Sequence, residues 1–153
     1  MFTLLKRQKA GAAQGDVAAL FEAALAASRN PALYRDYGVP DTFDGRFDAL
    51  LLHLVPMFRQ LAGDEKAAQA LYDLVFRRLE LALRESGAGD LGVARQVRAM
   101  MKAFYGRMVA YGDCQTDTAW REALTRNLYG TVPGIEVPDG MVVYARNLME
   151  RKG

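Results

Sequence analysis

Six apolar residues, Phe43, Phe47, Leu50, Leu54, Phe58 and Leu61, follow one another at spacings of four, three, four, four and three. That rhythm keeps one side of an α-helix apolar, whereas on a strand it would scatter the same residues over both faces. Leu51, Leu52 and Val55 widen the stripe almost all round, so this helix is expected at the centre of its fold. Pro56 cannot donate to the carbonyl of Leu52, which predicts a kink. Elsewhere β-branched residues are scarce, alanine and leucine are abundant, and apolar residues recur at threes and fours. The expected fold is all-α: a single-domain bundle of about six helices with a kinked central helix. Residues 1–15 are expected to be a flexible N-terminal segment and residues 16–153 the helical domain.

Caps and breakers divide the chain. A first helix is predicted from Asp16, as N-cap, to Ser28. Asn30 and Pro31 open a short helical turn that carries Leu33, Tyr34 and Tyr37 and ends at Gly38. The central helix follows, with Asp41 expected as its cap, Asp44 in the capping-box position and Gly63 as its stop. The next spans Asp64–Ser86, ended by Gly87. Its core face is Leu71, Tyr72, Val75, Leu79, Ala82 and Leu83, with Asp73–Arg77 and Glu80–Arg84 as ion pairs four apart on the opposite face. Leu74 and Leu81 fall on neither face and form a second apolar edge. Further helices are predicted over Asp90–Ala110, Asp117–Leu128 and Asp139–Arg151, the last two separated by a Gly- and Pro-rich loop.

A chain of 153 residues can bury a core without staples. Its net charge of +2 does not suggest a nucleic-acid binder. With Cys114 as its one cysteine, it can form neither an internal disulfide nor a cysteine-chelated zinc site. The opening MFTLLKRQKAG places its apolar residues before its charges, the reverse of a secretory signal. The most apolar stretch, Ala49–Phe58, is far short of the roughly 20 residues a bilayer span needs.

Three features invite a functional reading. Arg95, Arg98 and Lys102 cluster opposite the apolar face of Val93, Val97, Met100, Met101, Phe104 and Met108, and no acid lies between Asp90 and Asp113. Arg107 lies beside that apolar face. This suits a solvated face, or a cationic surface for lipid headgroups or an acidic partner. Asp41, Asp44 and Asp48 crowd the start of the central helix, where first-turn acids favour the helix dipole; acid–base or metal chemistry is the lesser reading. His53, the one histidine, is expected as a hydrogen-bonded residue at a helix contact rather than an axial haem ligand. Gly106 costs its helix about 1 kcal/mol relative to alanine, which predicts close approach of another helix or a ligand.

Three stretches, LYRDYGVPDTFDGRFDALLLHLVPMFRQL at 33–61, GDLGVARQVRAMMKAFYGRMVAY at 89–111 and ALTRNLYG at 123–130, together resemble the ubiquinol–cytochrome c chaperone family in its bacterial form. The resemblance runs from Leu33 to Gly130. It implies a helical, non-enzymatic assembly factor with no cofactor, working with cytochrome b or an early cytochrome bc1 (respiratory complex III) intermediate. It also implies a peripheral position on the inner, cytoplasmic face of the bacterial plasma membrane. A small partner subunit is implied by the family, and a homodimer through the Leu74 and Leu81 edge is an alternative. Positions in the matching stretches expected to bind client or membrane are Tyr34, Tyr37, Arg46, Asp48, Lys102, Tyr105, Arg107, Asn127 and Tyr129, to which the cationic face adds Arg95 and Arg98. The competing readings are a haem- or lipid-binding bundle and a helical enzyme using Asp44, Asp48 and His53.

Overall fold

The computed structural model describes residues 16–150, and within them the chain is helical with no strand. The expectation for the N-terminal segment, and the end of the last helix at Arg151, lie outside the described residues. Helix α1 covers residues 16–28, followed by α2 (Pro31–Arg35), α3 (Phe43–Gln60), α4 (Glu65–Glu85), α5 (Asp90–Gly112), α6 (Asp117–Asn127) and α7 (Asp139–Glu150). Six of these are main helices and α2 is a five-residue turn of helix, as the sequence predicts.

α3 is the kinked central helix, with Pro56 inside it and an unbroken buried run from Phe47 to Pro56 except for Leu50. It has a core on each side. Ala49, Leu52 and Val55 pack with Trp120, Leu124, Met141 and Val142 of α6 and α7. Phe47, Leu51 and Leu54 pack with Phe21 of α1, Leu71, Val75 and Phe76 of α4, and Met100 and Phe104 of α5. A helix apolar all round can only be satisfied in the middle, and this explains the widened stripe.

Caps depart from expectation in places. Asp16 is already helical rather than a cap. Thr42, not Asp41, caps α3: its Oγ1 accepts from the Gly45 N–H at 3.1 Å, because the helix begins one residue later than expected. Asp41 instead pairs with Arg46 at 2.6 Å. Asp64 caps α4 as predicted, accepting from the Ala67 N–H at 3.1 Å. The Glu80–Arg84 pair forms at 3.0 Å, but Asp73 accepts from Gln69 and forms no ion pair with Arg77. α5 runs two residues beyond Ala110.

Two glycines of the 33–61 stretch are demanded by the backbone. Gly38 turns the chain out of α2 at φ +69°. At Gly45 a β-carbon would lie 1.9 Å from the Pro40 carbonyl oxygen, so only glycine lets the preceding loop fold onto the first turn of α3. Gly106 behaves otherwise. A β-carbon there would meet nothing within 4 Å, so the expected close approach within the fold does not occur.

Candidate functional site

α1, α2, the first turns of α3 and the C-terminal half of α4 enclose a groove of about 1320 Å³. Its floor is apolar, with Phe21, Leu25, Phe47 and Val75 turned into it. Its mouth carries two large apolar side chains left in solvent, Phe43 (40% exposed) and Leu81 (53%). Leu81 is one of the two leucines that fit neither face of its helix; the other, Leu74, packs against the core. Four arginines, Arg29, Arg35, Arg46 and Arg78, ring the groove against Asp41 and Glu85. Arg78 lies over the Phe21 ring, 5.2 Å from its centroid, and pairs with Glu22 at 3.1 Å. Tyr34 forms part of the wall, its hydroxyl donating to the Ser28 carbonyl at 2.7 Å, and burial raises its pKa.

Of the other expected site residues, several turn inward. Arg107 reaches from α5 to Asp48 of α3 at 2.7 Å, both largely buried, and its Nε–H donates to the Asn127 carbonyl at the end of α6. One guanidinium thus ties three helices. Burial pushes the Asp48 carboxyl up to about 7, against the pull of Arg107. Tyr129 is in the core rather than on a surface, its hydroxyl donating to the Tyr37 carbonyl at 2.8 Å. The Tyr37 ring packs against Tyr144 and lies where any β-carbon at Gly140 would collide with it. These five residues, Tyr37, Asp48, Arg107, Asn127 and Tyr129, join the helices to one another. Arg95, Arg98, Lys102 and Tyr105 stay exposed on the outward side of α5, away from the groove.

His53 is buried between α3 and α7. Its Nδ1–H donates to the Ala49 carbonyl at 2.7 Å and its Nε2 accepts from the Tyr144 hydroxyl. Burial lowers its pKa, so the imidazole is neutral, and with both nitrogens bonded it offers no axial position. Asp48 faces α5 while His53 faces α7, so Asp44, Asp48 and His53 do not converge as the enzyme reading needs. Among the described residues no cluster of histidine, cysteine and acidic side chains is placed to hold a metal. Tyr111 is the oddity of the interior. It stacks on Trp120 with centroids 5.7 Å apart, yet its buried hydroxyl has no hydrogen-bond partner among the described residues.

The fold is an all-helical bundle that carries an apolar-floored, arginine-ringed groove on one side. Residues 35–151 match the sequence profile of the ubiquinol–cytochrome c chaperones, and the chain belongs to that family. The match reaches past Gly130 through the last helix, further than the three recognisable stretches. The crystal structure of a Cbp3 homolog from Brucella abortus superposes with a TM-score of 0.80 at 31% identity, covering 99% of this chain and 90% of that one. No curated protein matches the chain. Among the described residues no helix is long and apolar enough to cross a membrane.

Proposed function

We propose that the chain is a non-enzymatic assembly chaperone that holds cytochrome b, or an early cytochrome bc1 intermediate, at the cytoplasmic face of the plasma membrane. The family match over residues 35–151 carries this reading. The groove supplies a place for the client. An apolar floor under an arginine-rich mouth suits a short amphipathic or interfacial segment, since membrane-spanning parts of the client must stay in the bilayer. Tyr34 and Arg46 are the expected site residues that border it. Arginines at the rim set which segment is accepted more than how tightly it is held.

A photo-crosslinker at Phe43 or Leu81, in tagged protein recovered from native membranes, tests the reading. Adducts with cytochrome b, enriched over other abundant membrane proteins, are the expected result. Recovery of the protein alone while the complex is being made would sink the proposal. A haem-binding alternative has no support from the bonded His53.

A further inference from the structure

We propose that the outward face of α5 is a docking surface for anionic lipid headgroups, separate from the groove. The inference deepens the membrane-surface part of the reading above and rests on it for its setting. Leu91, Arg95, Arg98, Lys102, Tyr105 and Val109 recur at spacings of four, three, four, three and four. On one helix that makes a single straight stripe about 27 Å long at 1.5 Å per residue. All six are exposed, Leu91, Tyr105 and Val109 by 79%, 62% and 63%. Arg95, Arg98 and Lys102 form no ion pair or hydrogen bond with another described residue; Arg29, Lys66, Arg77 and Arg126 are unpaired too, but on α5 three such cations share one stripe, whereas Arg46, Arg78, Arg84, Arg121 and Arg146 are each paired with an acid. The stripe contains no acid of its own. Gly106 lies at its edge over open space, leaving the backbone bare beside Tyr105 at a cost no contact inside the fold repays.

The pattern selects its partner. Three unneutralised cations in a row, with aliphatic side chains at both ends and a tyrosine among them, suit a headgroup layer. Phosphates neutralise the cations, and the leucine and valine settle at the interface, with the exposed edge of Tyr105 beside them while its hydroxyl stays bonded to Tyr72 of α4. The stripe lines neither the groove nor the smaller recess of about 260 Å³ beside Asp48, Gln96 and Arg107, so this face has no pocket for an anchoring side chain of a protein partner. The two surfaces are also separated by α4. That helix packs Tyr72 and Phe76 against Phe104 of α5, and turns Val75, Arg78 and Ala82 into the groove.

The test is co-sedimentation of the full chain with vesicles of phosphatidylcholine alone, or of phosphatidylcholine mixed with phosphatidylglycerol. Binding to the mixed vesicles only, weakening as salt is raised, is expected. Arg95→Gln, Arg98→Gln and Lys102→Gln together should weaken it about a hundred-fold, at roughly fivefold per cation. Lysine at 95 and 98 should preserve binding, and serine at Leu91 and Val109 should reduce it without removing its salt dependence. Indifference of the wild-type protein to the mixed vesicles would overturn the proposal. So would equal binding by the triple glutamine variant with its helical circular dichroism intact; should that variant unfold, the lysine and serine variants decide alone. If the triple variant loses cytochrome b in detergent extracts while the wild type ignores vesicles, the face belongs to a protein and the lipid assignment is wrong. Crosslinking at Leu81 is read separately, so failure at the bilayer and failure of the client reading are told apart.

Discussion

Arg107 shows how much a single side chain can be misread from a helical wheel. Its position beside the apolar face left it open to a surface role, but the fold brings Asp48 and the Asn127 carbonyl to it. The pair has a consequence for stability. The Asp48 carboxyl sits at about 7 in the fold, raised first by burial and also by Asp44, and opposed by Arg107. An unfolded aspartate titrates near 3.9. Between about 4 and 7 the folded state therefore binds a proton that the unfolded chain does not, so this residue's contribution to stability falls as pH rises through that range and is level above it. His53, lowered by burial, acts in the opposite sense and loses stability as pH falls below its ordinary value. Denaturant titrations of wild type and Asp48→Asn, compared from about pH 4.5 to about pH 8, a range that starts above the unfolded value of ~3.9 and passes through the folded value of about 7, isolate the first effect: the variant should gain relative to wild type as pH rises. A difference that stays constant across the range would mean instead that Arg107 keeps the carboxylate ionised throughout.

At the level of elements, the YGVPDTFDGRFD stretch is as much a folding device as a recognition surface. Gly38 ends α2 with a left-handed turn, Thr42 caps α3, and Gly45 admits the Pro40 carbonyl against the helix. Gly45→Ala drives a β-carbon into backbone that has nowhere to go, and is expected to cost about 3 kcal/mol. The loss should appear as a shifted denaturation midpoint with an unchanged slope. A shift of less than about 1 kcal/mol would show that the loop moves aside freely, since overpacking of a fixed site costs at least that. The groove mouth depends on the same first turns, through Phe43 and Arg46, so the family's recognisable motif and one wall of the groove share one piece of chain.

For the whole molecule, α3 is the part that makes two cores into one unit. The cluster around Trp120 and that around Phe104 have few ways to unfold separately, because each uses the opposite side of this helix. Trp120, the one tryptophan, reports the first cluster, while far-ultraviolet circular dichroism reports all helices. The two transitions are expected to coincide in denaturant. A tryptophan transition that precedes the loss of helix would show that α6 and α7 come away first.

Periodicity and caps alone determined the helices, their order and the central place of α3, because the apolar pattern of each helix is a local property read along one stretch of chain. The outward cations of α5 were legible for the same reason: exposure on one helix follows from its own wheel. The groove was not, since Phe21, Tyr34, Phe47 and Val75 come from four helices and only packing sets them around one space. Nor was the fate of Arg107 and Tyr129, whereas His53 sits hydrogen-bonded at a helix contact as the sequence led one to expect, with only its partner left to the fold. Whether a polar side chain at the border of an apolar face meets water or a partner depends on what the neighbouring helix presents there, and in this protein Asp48, the Tyr37 carbonyl and the Tyr144 hydroxyl decide it.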